Sequence, residues 1–177
     1  MSNLFQKLEI EAFRAGINPR TKEAQDWFRK KAQSMRRINR QDLLQDEQVK
    51  LVNRQNPLIG SMNMFFYDPK HKEKLPYYDR FPLAIIVKPA PGGFYGLNLH
   101  YLPLPLRAKA LDILLGEDTA LPQKYIAPMI HRYLFKQVKS RFALVDKPEW
   151  EIATFLPTAD FRGATKNKVY RDSRSKM

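Results

Sequence analysis

The sequence predicts an α+β fold, built on a small, strongly bent antiparallel sheet or an SH3-like barrel flanked by N- and C-terminal helices. Three observations predict it. Residues 61–102 hold three strand-like runs set off by strong turn signals. Helix-capping residues and three-four apolar spacing lie on both sides of that stretch. At 177 residues with 44% apolar content, the chain is long enough to bury a real core. The expected division is a basic helical arm over 1–60, an α+β core over 61–164 and a basic flexible tail over 165–177.

Leu4, Leu8, Ala12 and Ala15 recur at helical spacing, and Gly16 suits the residue just past a helix end. Asn18-Pro19 then reads as a cap followed by a proline at the first helical position. The second helix is expected to reach about Asn39, with Ala24, Trp27, Phe28, Met35 and Ile38 on its apolar stripe. Residues 42–55 are polar, and Asn56-Pro57 with Gly60 breaks the chain before the sheet.

Strands are expected at Ser61–Asp68, Phe81–Lys88, Phe94–Leu102 and Arg141–Val145. The unbroken run from Leu83 to Val87 suggests burial on both faces, and residues 94–101 alternate with a period of two. Pro91-Gly92-Gly93 makes the second and third strands a hairpin, and Gly96 marks a bulge or a close backbone approach. Phe65, Leu83, Ile85, Leu97 and Leu99 are the expected core. Further helices are read at Leu106–Leu115, at Ile126–Lys139 and from Lys147 to near Leu156.

Charge is the strongest functional signal. The formal net charge is +13, spread along the chain rather than held in one tail. Two clusters stand out. Arg29, Lys30, Lys31, Arg36, Arg37 and Arg40 fall in one stretch without an acid, and Arg162, Lys166, Lys168, Arg171, Arg174 and Lys176 crowd the C-terminus. Such surfaces attract phosphate backbones, in a way that weakens steeply with salt. The candidate nucleic-acid or partner-binding residues are therefore Arg29, Lys30, Arg36, Arg37, Arg40, Lys166, Lys168, Arg171 and Arg174. Tyr77, Tyr78, Phe94, Tyr95 and Tyr101 offer aromatic faces for unpaired bases, with core packing as the alternative.

Little points to catalysis. The chain has no cysteine, which removes disulfides, thiolate nucleophiles and cysteine metal sites, and fits a reducing compartment. His71, His100 and His131 show no ligand spacing, and His100 is suited to a hydrogen bond across a buried strand. Asp68 and Asp79 flank one turn, but Asp68-Pro69 is turn chemistry, and Asp79-Arg80 reads as an ion pair. The glycines near residue 92 form no phosphate loop. No catalytic residue, metal or cofactor is expected, nor a membrane segment.

The runs MFFYDPKHKEKLPYYDRFPL, GGFYGLNLHYLPLPLRAKALDIL and HRYLFKQVKSRFALVDKPEWEIATFLPTADFRGA resemble the DNA end protector proteins of large contractile-tailed bacteriophages of the T-even type. The resemblance implies a non-enzymatic virion protein near the head–tail junction. Such a protein would bind the ends of packaged double-stranded DNA and shield them from host exonuclease. It would pass from the host cytoplasm during assembly into the virion. The competing expectation is a structural protein of neck, tail or baseplate that grips a neighbouring phage subunit through its basic helices.

Overall fold

A computed structural model describes residues 4–18, 21–36, 38–45, 50–52, 58–116 and 120–177. Among them the helices are α1 (Leu4–Arg14), α2 (Lys22–Ser34), α3 (Arg40–Gln45), α4 (Leu104–Leu115), α5 (Gln123–Met129), α6 (Trp150–Phe155) and α7 (Lys166–Lys176). The strands are β1 (Lys50–Val52), β2 (Met62–Met64), β3 (Tyr78–Asp79), β4 (Leu83–Ala90), β5 (Gly93–Asn98), β6 (Ile130–Leu134), β7 (Phe142–Val145) and β8 (Phe161–Arg162). The fold is α+β. Six strands join in the order β1-β7-β2-β4-β5-β6, every neighbouring pair antiparallel, while β3 and β8 pair separately.

Alternation along the strands gives each face of the sheet its own core. One face presents Met62, Met64, Leu83, Ile85, Leu97 and Val145 to Phe5 and Leu8 of α1, Ala32 of α2, Leu111 of α4 and Phe155 of α6. The other face gathers Phe65, Tyr67, Phe94, Tyr133 and Phe142, all buried. The expected core residues Phe65, Leu83, Ile85, Leu97 and Leu99 are each 5% exposed or less.

The aromatic face reveals the bend. Strands β7 and β5 are separated by β2 and β4, which in a flat sheet would set them about 14 Å apart. Yet the rings of Phe142 and Phe94 have centroids 5.8 Å apart, with Phe65 edge-on to both at 4.8 and 6.0 Å. The sheet curls around these rings. A register shift between Ile86 and Lys88 increases the local twist, and Gly96 leaves room for the rings of Phe94 and Tyr133. The sheet nevertheless stays open, with β1 and β6 as its edges, and no SH3-like closure is found among the described residues.

Several elements differ from the sequence reading. The helix expected over Ile126–Lys139 stops at Met129, one residue past Pro128, and the chain becomes β6, the edge partner of β5. Helix α2 is capped by Thr21, whose hydroxyl accepts from the Ala24 N–H at 3.1 Å, and it ends at Ser34 rather than Asn39. Pro19 lies outside the described residues. The first expected strand is laddered only at Met62–Met64, and the third ends at Asn98, whose side chain caps a turn of 3₁₀-helix by accepting from the His100 N–H. The C-terminal segment, expected as a mobile tail, is helix α7: Thr165 caps it, and Val169 and Ser173 are buried. Ser173 donates to the Tyr101 carbonyl at 2.6 Å.

Candidate nucleic-acid interface

The basic residues singled out by sequence do not form one arc. Arg29 is drawn inward, its Nε 2.8 Å from Glu151 and a terminal nitrogen 2.6 Å from Asp112, with the guanidinium over the Phe155 ring. Lys30 is exposed on α2. Because α2 ends at Ser34, Arg36 lies beyond it and Arg40 opens α3. Arg40 donates to the carbonyls of Thr158 and Ala159, both at 2.7 Å. Arg37 lies outside the described residues. On α7, Lys166, Lys168, Arg171 and Arg174 are exposed, and Lys168 pairs with Asp172.

What the fold does bring together is Arg36, Arg40 and Lys166. They line one open cleft of about 570 Å³ together with Pro157, Ala159 and Phe161, and among the described residues Asp160 is the only acid in its lining. Members of the two basic clusters, distant in sequence, thus face one space.

A second cleft has a volume of about 580 Å³, and two of its arginines, Arg80 and Arg162, reach Asp160 of the first. Lys72, Arg80, Lys139 and Arg162 line it with one acid, Asp68. Arg80 and Arg162 reach back to Asp160 at 2.8 and 3.2 Å, and Lys72 pairs with Asp68 at 2.9 Å. Among the described residues the two clefts together present seven cationic side chains against two carboxylates. The Lys72–Asp68 pair is exposed on both sides and can exchange for phosphate at small cost, whereas Asp160, only 14% exposed, holds Arg80 and Arg162 in place at the cleft wall. Sequence reading counts Arg162 in the C-terminal basic cluster but misses Lys72, Arg80 and Lys139, which are scattered in sequence and meet only once the strands around them are in place.

Beneath the clefts a buried polar network fixes their floor. Asp79 accepts four hydrogen bonds, from the backbone of Phe81 and Asp160 and from the side chains of Asn98 and His100. It is thus tied to His100, not to Arg80 as the sequence suggested; Arg80 pairs with Asp160. Burial pushes the Asp79 carboxyl up, but His100, Asn98 and the Asp160 N–H outweigh it and bring it down to about 2. Burial lowers the His100 pKa, and Arg107 and Arg40 add to that against Asp79. The neutral imidazole donates from Nδ1 to Asp79 and accepts at Nε2 from the Thr158 hydroxyl, 3.0 Å away. Arg107, also buried, balances the carboxylate and donates to the carbonyls of His100, Leu102 and Thr154 and to the Tyr170 hydroxyl.

The aspartate–histidine–threonine order resembles a nucleophile relay. However, His100 and Thr158 are wholly buried and Asp79 is 3% exposed, so a substrate has no approach. The network's work is to hold residues 158–160 against β3 and so to present the carbonyls that Arg40 grips. Among the described residues no group of histidines and carboxylates is arranged to hold a metal ion, and no helix is long and apolar enough to cross a membrane.

The family model described as Phage T4 terminal DNA protecting protein matches residues 5–126. The match takes in α1 to α4 and β1 to β5, and with them Arg36, Arg40, Lys72 and Arg80 of the clefts. Lys139, Arg162 and Lys166 lie beyond it. No curated protein and no solved structure matches the chain. More than half of the chain is covered by a single family, and the protein belongs to the Phage T4 terminal DNA protecting protein family.

Proposed function

We propose that this protein binds the ends of double-stranded phage DNA through the phosphate backbone, without reading sequence, and shields them from exonuclease in the virion. The observation that carries this reading is the pair of neighbouring clefts that present, among the described residues, seven cations and two carboxylates. Backbone contacts of this kind position a protein on a duplex but carry no sequence information. In this reading the protein acts as a cover rather than a catalyst: among the described residues, His100 and Thr158 of the acid–base array are wholly buried.

Titration of two unrelated duplexes at two salt concentrations tests the binding. With five phosphate contacts, affinity should fall about 500-fold between roughly 50 and 200 mM salt, equally for both sequences. A flat salt response, or preference for one sequence, would overturn the reading.

One observation favours a second role, attachment to a neighbouring virion subunit. Phe13 of α1 is 82% exposed and Ile10 is 43% exposed. Nearby, burial and then the charges of Glu9 and Asp146 push the Glu149 carboxyl up to about 7. This face is apolar and acidic, unlike the basic helices first expected to meet a neighbour. Phe13→Glu should reduce incorporation into particles while leaving DNA affinity unchanged. Normal incorporation would dismiss this second role.

A further inference from the structure

Cationic clefts alone leave a problem, because a phosphate backbone looks the same at a terminus and in mid-duplex. A third cleft, of about 520 Å³, answers it. It shares the lining residues Tyr67 and Tyr78 with the second cationic cleft, so the two are neighbours. Its walls are aromatic. Tyr101 stacks on His131 with centroids 4.2 Å apart and ring planes 29° apart, and Tyr77 lies 6.3 Å from Tyr101 at 34°. Tyr77 and Tyr78 are partly exposed, whereas Tyr101 is buried behind them.

The rim is basic, with Lys70, Arg132 and Lys176 all exposed. The one carboxylate in the lining, Asp79, already accepts four hydrogen bonds. His131 donates from Nδ1 to the Met129 carbonyl at 2.9 Å, and burial above all disfavours its charged form, which leaves Nε2 as an acceptor. Aromatic faces, an acceptor and a ring of cations are the parts of a nucleotide site, and the volume falls in the usual range for small-ligand pockets.

We propose that this cleft receives an unpaired nucleobase from the DNA terminus, stacked on Tyr77 and Tyr78, with its phosphate at Lys70, Arg132 and Lys176. Bases inside a duplex are stacked and paired and cannot enter; a frayed or overhanging end supplies one that can. The cleft thereby distinguishes an end from continuous duplex. This inference rests on the DNA-binding reading above.

The test compares the full chain's affinity for a duplex closed by hairpins at both ends with its affinity for the same duplex bearing a short single-stranded overhang. The overhang should bind roughly 5- to 150-fold more tightly, the range expected for stacking one base. Tyr77→Ala, at a residue that lines this cleft and neither cationic one, should lose that preference and keep its affinity for the closed duplex. Tyr77→Phe, which loses the hydrogen bond to Asp172 but keeps the ring, should retain the preference.

If the wild type binds both duplexes equally, or Tyr77→Ala keeps the preference, the base site is overturned and backbone binding stands. If neither duplex binds, the DNA reading fails and the base site with it. Should Tyr77→Ala fail to bind even the closed duplex, photo-crosslinking of the wild type to bromouracil in the overhang decides. Adducts on Tyr77, Tyr78 or Tyr101 support the site, and adducts only elsewhere overturn it.

Discussion

Arg29 and Glu151 stand 122 residues apart in sequence and 2.8 Å apart in the fold, with side chains only 13% and 8% exposed. The contact joins α2 to α6 and makes an arginine that looks like a surface contact part of the protein's own framework. Burial alone would disfavour a charge at Arg29, but its hydrogen bonds to Glu151 and Asp112 outweigh that and hold its pKa above the ordinary value. Burial acts the other way on Glu151 and raises its carboxyl despite Arg29. Glu151 is therefore the group left stranded if the arginine is removed.

Arg29→Ala should destabilise the protein by about 3 kcal/mol, because it abandons a largely buried carboxylate. Urea unfolding measures this, and the double variant with Glu151→Ala should cost less than the two single changes added together. A loss below about 0.5 kcal/mol for Arg29→Ala would show that the pair is solvated and not structural.

Asp79 predicts a response to acid. Its carboxyl lies at about 2 in the fold against an ordinary 3.8, so its contribution is present above pH 3.8 and is lost as pH falls towards 2. His100 has the same sign: its lowered pKa means that stability falls as pH drops below 6.5. Unfolding midpoints measured across pH should show the wild type losing stability between about pH 4 and 2. Asp79→Asn should be less stable at neutral pH and should lose less across that window. Parallel curves for the two proteins would remove Asp79 from the account.

Gly93 predicts a steric failure. A Cβ built there would lie 1.8 Å from the Tyr133 carbonyl oxygen, a backbone atom of the neighbouring strand β6 that has nowhere to retreat. Gly93→Ala should part β5 from β6 and cost about 3 kcal/mol or more. A thermal melt checks it, and an unchanged midpoint would mean that the strands are not paired as described.

The hairpin was legible because its signals are local. Alternation through residues 94–98 and the Pro91-Gly92 turn locate β4 and β5 to within a few residues. Strand β6 was hidden because residues 126–139 also fit a helix, and only pairing with β5 decides the matter at Ile130. Helix α7 was hidden for the opposite reason. Its sequence is almost wholly polar, and just Val169 and Ser173 are buried. Charge was legible as a total but not as a place. The inward turn of Arg29 depends on Glu151, and the meeting of Arg36 with Lys166 depends on how residues 157–165 cross between them.

Reversing three exposed charges in the cationic clefts tests the central claim most directly. The variant Arg36→Glu, Lys139→Glu and Lys166→Glu leaves Arg29 and Arg40 in their internal contacts, so its melting temperature should match the wild type. The measurement is exonuclease digestion of an end-labelled linear duplex with saturating wild-type or variant protein, together with the salt dependence of binding. Ends should be protected with the wild type and lose label rapidly with the variant, whose salt slope should be shallower by about 2.7. A folded variant that protects the ends fully and keeps the wild-type slope would contradict that claim.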